Sequence, residues 1–156
     1  MKKINCILIF LFLLSGCNYE PIYSVKGKKF SIINFEIKNK NSLTSQITRS
    51  LRIYKNLEGE KQYNLEIDAK KNKVVTSKDS RGNIKSYRLI IECNYKIFEK
   101  DKNTKSKKII ESFNFNNSDN KFKLRKYEVS IEKDLMTKII ENLILILCSS
   151  IFHNLS

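Results

Sequence analysis

Apolar and polar positions along the chain fall into six periodic segments behind an apolar leader. Phe30–Ile37, FSIINFEI, is β-branched and aromatic and long enough for a strand. The polar run 38–42 breaks it. Leu43, Ile47, Leu51 and Tyr54 recur at i, i+4, i+8 and i+11, which is one helix face. Asn41 or Ser42 supplies the cap, because a short polar side chain satisfies a free N–H of the first turn. Arg49 and Arg52 fall off that stripe, and Gly59 follows its end.

Residues 63–70 alternate: Tyr63, Leu65, Ile67 and Ala69 face one way, Asn64, Glu66, Asp68 and Lys70 the other. Val74 and Val75 continue this strand after a polar interruption. Residues 79–83 carry turn chemistry, with Gly82 able to take a positive φ. Tyr87, Leu89, Ile91, Cys93, Tyr95 and Ile97 then alternate again, so the two runs predict a β-hairpin. Residues 100–108 hold no apolar side chain and predict a charged loop. Residues 109–115 predict one more strand, ended by the polar run 116–120. In the last segment Tyr127, Ile131, Leu135, Ile139 and Leu143 step by four, with Met136, Ile140, Ile144 and Leu147 beside them. Residues 143–148 are apolar all round, a pattern of a helix that is sandwiched or paired.

The predicted order is β-α-β-β-β-α. It defines an α+β class. The predicted domain runs from 30 to 152, with a tail at 153–156.

The leader reads as an address. Lys2 and Lys3 precede an apolar run from Ile4 to Leu14. Eleven residues make a helix of about 16 Å, against a hydrocarbon core of about 30 Å, so the run fits a secretory h-region and not a membrane span. Leu14-Ser15-Gly16-Cys17 has the form of a bacterial lipobox. The Cys17 thiol takes a diacylglyceryl group, and the peptidase cuts between Gly16 and Cys17. Residues 1–16 are thus the lipoprotein signal peptide and 17–29 a lipidated tether. Two or more acyl chains anchor a protein stably, where one does not. Asn18, in place of an aspartate, points to the outer membrane. The competing reading is an ordinary signal peptide with a chance cysteine.

Composition adds a charge question. The formal net charge is +14, and only five of 30 basic residues are Arg. With 22 Ile and 17 Asn, the excess of Lys fits both an AT-rich genome and an anionic partner. For an exported chain that partner is a phospholipid or glycolipid head, not nucleic acid. Cys6 leaves with the leader; Cys93 and Cys148 are either two buried thiols or a pair.

Catalytic patterns do not emerge. The one histidine, His153, lies four residues from the end, and no nucleophile, phosphate-loop or metal-ligand motif occurs. No cofactor is called for. Basic residues gather at Lys78, Arg81, Lys85 and Arg88 around the hairpin turn, and at Lys121, Lys123, Arg125 and Lys126 at the start of the last helix. Each cluster reads as a phosphate site or as a solvated basic edge. A helix start disfavours cations through its dipole, which gives Arg125 and Lys126 some weight as functional residues.

Gly16-Cys17 followed by Asn-Tyr-Glu-Pro-Ile-Tyr resembles the opening of the outer-membrane LPS-assembly lipoproteins, the LptE family, in its alphaproteobacterial form. The β-α-β-β-β-α order, the segment Gly82-Asn-Ile-Lys-Ser-Tyr87 and a closing helix over 124–147 are similar too. The resemblance implies a two-layer α/β sandwich, two helices packed on a mainly antiparallel four-stranded sheet, and a non-catalytic lipoprotein that plugs an LptD-like outer-membrane β-barrel, assists its assembly and helps deliver lipopolysaccharide to the outer leaflet. It implies LPS-phosphate contacts at Lys78, Arg81, Lys123, Arg125 and Lys126. The alternatives are a structural envelope lipoprotein that binds another outer-membrane or periplasmic protein, and a small periplasmic enzyme or lipid carrier with an apolar cavity.

Overall fold

The computed structural model describes residues 30–59, 61–99 and 102–149. Gly16, Cys17, the tether 17–29, His153 and the tail 153–156 lie outside the described residues. The elements are β1 (Phe30–Ile37), α1 (Ser42–Leu51) with a 3₁₀ turn (Arg52–Tyr54), β2 (Lys61–Lys78), β3 (Ile84–Glu99), β4 (Lys102–Asn116) and α2 (Lys121–Ser149). The predicted order β-α-β-β-β-α is present. The sheet order is β1-β2-β3-β4, with β1 parallel to β2 and the other pairs antiparallel.

The two-residue period sets one face of this sheet toward the helices. Tyr63, Leu65, Ile67 and Ala69 of β2, and Leu89, Ile91, Cys93, Tyr95 and Ile97 of β3, are all buried. Helix α1 begins level with Ala69, where the Asn41 amide donates to the Ala69 carbonyl oxygen at 2.8 Å. It then returns toward the start of β2, where Tyr54 stacks on Phe30 at 4.8 Å. Asn41 is the cap: its Oδ1 accepts from Thr44 N, and Thr44 Oγ1 accepts from Asn41 N, each at 3.0 Å. Gly59 lets the chain pass over β1, since a Cβ there would sit 2.6 Å from the Phe30 carbonyl carbon.

Helix α2 is about 43 Å long at ~1.5 Å per residue. It starts at the hairpin end and runs back over β3 and β4, with the Asn142 amide reaching Glu111 Oε1 at 3.1 Å. Its Ile131, Leu135, Ile139, Leu143 and Leu147 are buried, together with Met136 and Ile144. The opposite face of the sheet is polar. There Glu66 accepts from Lys38 (3.0 Å) and Lys96 (3.4 Å), and Lys108 pairs with Glu92 at 3.0 Å.

Three expectations are corrected, and one open alternative, at the cysteines, is resolved. Residues 102–108 are not a loop but the first half of β4, because the long β3 offers them a complete partner edge and lysines on an outer strand stay in water. The 143–148 stretch is not buried all round: Leu145 is 50% exposed, since α2 has the sheet and α1 on one side only. Tyr127 heads the predicted stripe but is half exposed, lying edge-on to Phe115 at 6.2 Å. Cys93 and Cys148 are both thiols, Cys93 buried and Cys148 half-buried.

Candidate functional site

The hairpin turn and the start of α2 share one end of the molecule. Asp79 builds the turn: its Oδ1 accepts from Arg81 N (3.0 Å) and Asn83 N (2.8 Å), and Gly82 takes φ +83°. The hydrogen bonds from Asn83 hold the Asp79 carboxyl below the usual range. Asn117 ties this hairpin to the helix start, donating from its backbone N to Lys85 O at 2.7 Å and from its amide to Ile84 O at 2.9 Å. Asn120 caps α2 by accepting from Lys123 N at 2.9 Å.

The two basic clusters of the sequence therefore lie at the same end of the molecule, on its exposed surface. Lys78, Arg81, Lys123, Arg125 and Lys126 are all exposed. Within that surface they divide. Arg125 alone of the five lines a groove of about 420 Å³ between β2 and α2, with Lys71, Lys73, Lys121, Leu124, Glu128, Val129 and Glu132. Lys78 and Arg81 sit at the hairpin tip. Lys123 and Lys126 lie off the groove on other sides of the helix, and Lys126 lies 5.9 Å over the Phe122 ring. Among the described residues, the side chains of Lys78, Arg81, Lys123 and Arg125 have no counter-ion.

Lys71 and Lys73 were not singled out by sequence, although the signal was there. They hold the odd positions that continue the Tyr63–Ala69 face after α1 has ended. Lys71 Nζ reaches Glu132 at 2.7 Å and Lys73 Nζ reaches Glu128 at 2.6 Å. Lys73 also lies 4.3 Å over the Tyr87 ring and 5.5 Å from the Phe115 centroid. These two lysines are spent on joining strand to helix. Lys121 and Arg125 are what the groove presents outward; among the described residues Lys121 Nζ reaches Asn117 Oδ1 at 3.5 Å and the Ser118 carbonyl at 3.3 Å.

A second depression lies on the open sheet face, about 330 Å³, lined by Asn34, Glu36, Asn64, Leu65, Glu66 and Phe98. The groove beside α2 is lined largely by charged groups, a poor lining for acyl chains. Among the described residues there is no cluster of His, Cys, Asp and Glu suited to a metal ion. None of their helices is long and apolar enough to cross a membrane.

No family model matches the chain, and no curated protein matches it by sequence. Solved structures do match by shape, and several of them are lipoproteins. Rare lipoprotein B from Shewanella oneidensis superposes with a TM-score of 0.61 at 16% identity, over 77% of this chain and 96% of that one. Lipoprotein B from Nitrosomonas europaea superposes at 0.66 with 11% identity, over 89% and 96%. A minor lipoprotein from Acinetobacter baumannii gives 0.58 at 10% identity, over 80% and 92%. The chain thus shares the fold of rare lipoprotein B, the fold of the LptE type, over most of its length.

Proposed function

We propose that this chain is an LPS-assembly lipoprotein of the LptE type. In this reading it is anchored by acyl chains at Cys17, after cleavage at Gly16, in the outer membrane. It seats in an LptD-like β-barrel and helps pass lipopolysaccharide to the outer leaflet. It does so by binding, without a catalytic step or cofactor. The observation that carries the reading is the basic end, where Lys78, Arg81, Lys123 and Arg125 gather without counter-ions. Guanidinium groups grip phosphate bidentately and ammonium groups attract it as point charges. The polar open face of the sheet suits a hydrated lumen, where an apolar face would not.

LPS carries phosphates bridged by divalent cations, and exposed Lys and Arg compete for them. The double reversal Arg81→Glu with Arg125→Glu should weaken binding of purified LPS to the full-length chain by about tenfold, from two charge-assisted contacts. The wild-type affinity should fall with added salt. Unchanged binding in the double variant would remove this site assignment.

A second reading, a structural lipoprotein that binds another envelope protein, is favoured by Phe122 and Val129, which stand 74% and 60% exposed on α2. Only the plug reading requires one large barrel in stoichiometric amount.

A further inference from the structure

The two edges of the described sheet are treated differently. Strand β1 is short, at 8 residues, and bulged at Ile33, where the register with β2 shifts. Its outer side is already taken: Lys55 bridges Ile32, and Asn56 N donates to Ile32 O at 3.1 Å. Length, bulge and cover are the usual means by which an edge is closed to other strands.

Strand β4 is bulged only at its start, where the register with β3 shifts between Ile97↔Lys105 and Glu99↔Lys102. It has 15 residues and no proline or glycine. Its register with β3 runs unbroken from Ser86↔Asn116 to Ile97↔Lys105. It closes the described sheet as an edge, and α2 packs on its face. What marks it instead is charge and shape in sequence. Lys105 and Lys107 are exposed on the helix-side face, and Lys108 is exposed beside Glu92 on the other. Further along, Ile110 and Phe113 are 53% and 43% exposed.

We infer that the outer edge of β4 is a strand-addition site for an extended, acidic segment of another protein. The backbone edge supplies the ladder of hydrogen bonds, which carries affinity without reading sequence. Lys105 and Lys107 select carboxylates, and Ile110 and Phe113 select apolar side chains further along the same strand. A second copy of this chain fits poorly. The one acid in β4 is Glu111, and its Oε1 already takes the Asn142 amide. A copy therefore brings lysines without a carboxylate to meet them, and the same lysines that admit an acidic strand discourage self-pairing. This site is separate from the basic end and does not depend on LPS binding.

The test is hydrogen–deuterium exchange on the full-length chain with two capped probe peptides of about ten residues, valine alternating with glutamate in one and with lysine in the other. The glutamate peptide should slow exchange across 105–116 and the lysine peptide should not. Backbone N-methylation of alternate residues should abolish the effect, because it removes the ladder donors. Lys105→Glu with Lys107→Glu, both on exposed positions, should weaken the glutamate peptide about fivefold and shift preference to the lysine peptide. Equal action of both peptides, action by the N-methylated peptide, or protection confined to β1 would each overturn the inference. So would protection of β4 without peptide that grows with protein concentration, since a second copy would then be the occupant.

Discussion

Asn41 joins three parts of the molecule through one short side chain. Its Oδ1 caps α1, its amide holds Ala69 of β2, and its backbone N–H is taken by Thr44. Asn41→Ala should cost about 1–2 kcal/mol in urea unfolding, more than Ser42→Ala beside it. Glu66 makes a pH prediction. Its carboxyl is held below the usual range, chiefly by the hydrogen bond from Lys38, then by the Lys38 and Lys96 charges against its burial. The same bond raises Lys38 above the ordinary lysine value. A lowered carboxyl contributes stability above its unfolded pKa and loses it as pH falls through the folded value. Stability should therefore decline on the acid side of the carboxylate range, and Glu66→Gln should flatten that limb in pH-dependent denaturation. Burial pushes the Cys93 thiol up to about 12, aided by Asp68. It should resist thiol reagents at neutral pH in the native chain and react once unfolded, as mass spectrometry after labelling would show.

At the scale of elements, α2 carries the contrast between a buried and an open face. Ile139 is fully buried and Leu145 is half exposed. Ile139→Ala should cost about 2–5 kcal/mol, and Leu145→Ala should stay within about 0.5 kcal/mol, by denaturant unfolding. The elements legible in sequence were those whose period the packing enforces. The Leu43–Tyr54 stripe and the alternations at 63–69 and 87–97 are present as read, since each apolar position meets the core. The first half of β4 was not legible, because a strand held by backbone pairing on one edge needs no apolar side chain. For the same reason Lys71 and Lys73 were passed over: their role comes from Glu132 and Glu128, some 55 or more residues away, at 2.7 and 2.6 Å. The basic clusters were legible as composition. That they share one end of the molecule depends on Asn117 pinning the hairpin base to the helix start, which no spacing shows.

For the whole molecule, a polar sheet face, a helical face and a basic end each meet a different environment in the plug reading. On that proposal the open face and the β4 edge would look toward protein and water, the basic end toward phosphates, and acyl chains at Cys17 would hold the chain to the bilayer. The shared fold with rare lipoprotein B covers 96% of that chain and 77% of this one. The most direct measurement is affinity purification of the full-length, lipidated protein from detergent-solubilised envelopes, with mass spectrometry of what accompanies it. The account predicts one large outer-membrane β-barrel at about one-to-one. A folded and lipidated bait that brings no barrel would contradict it.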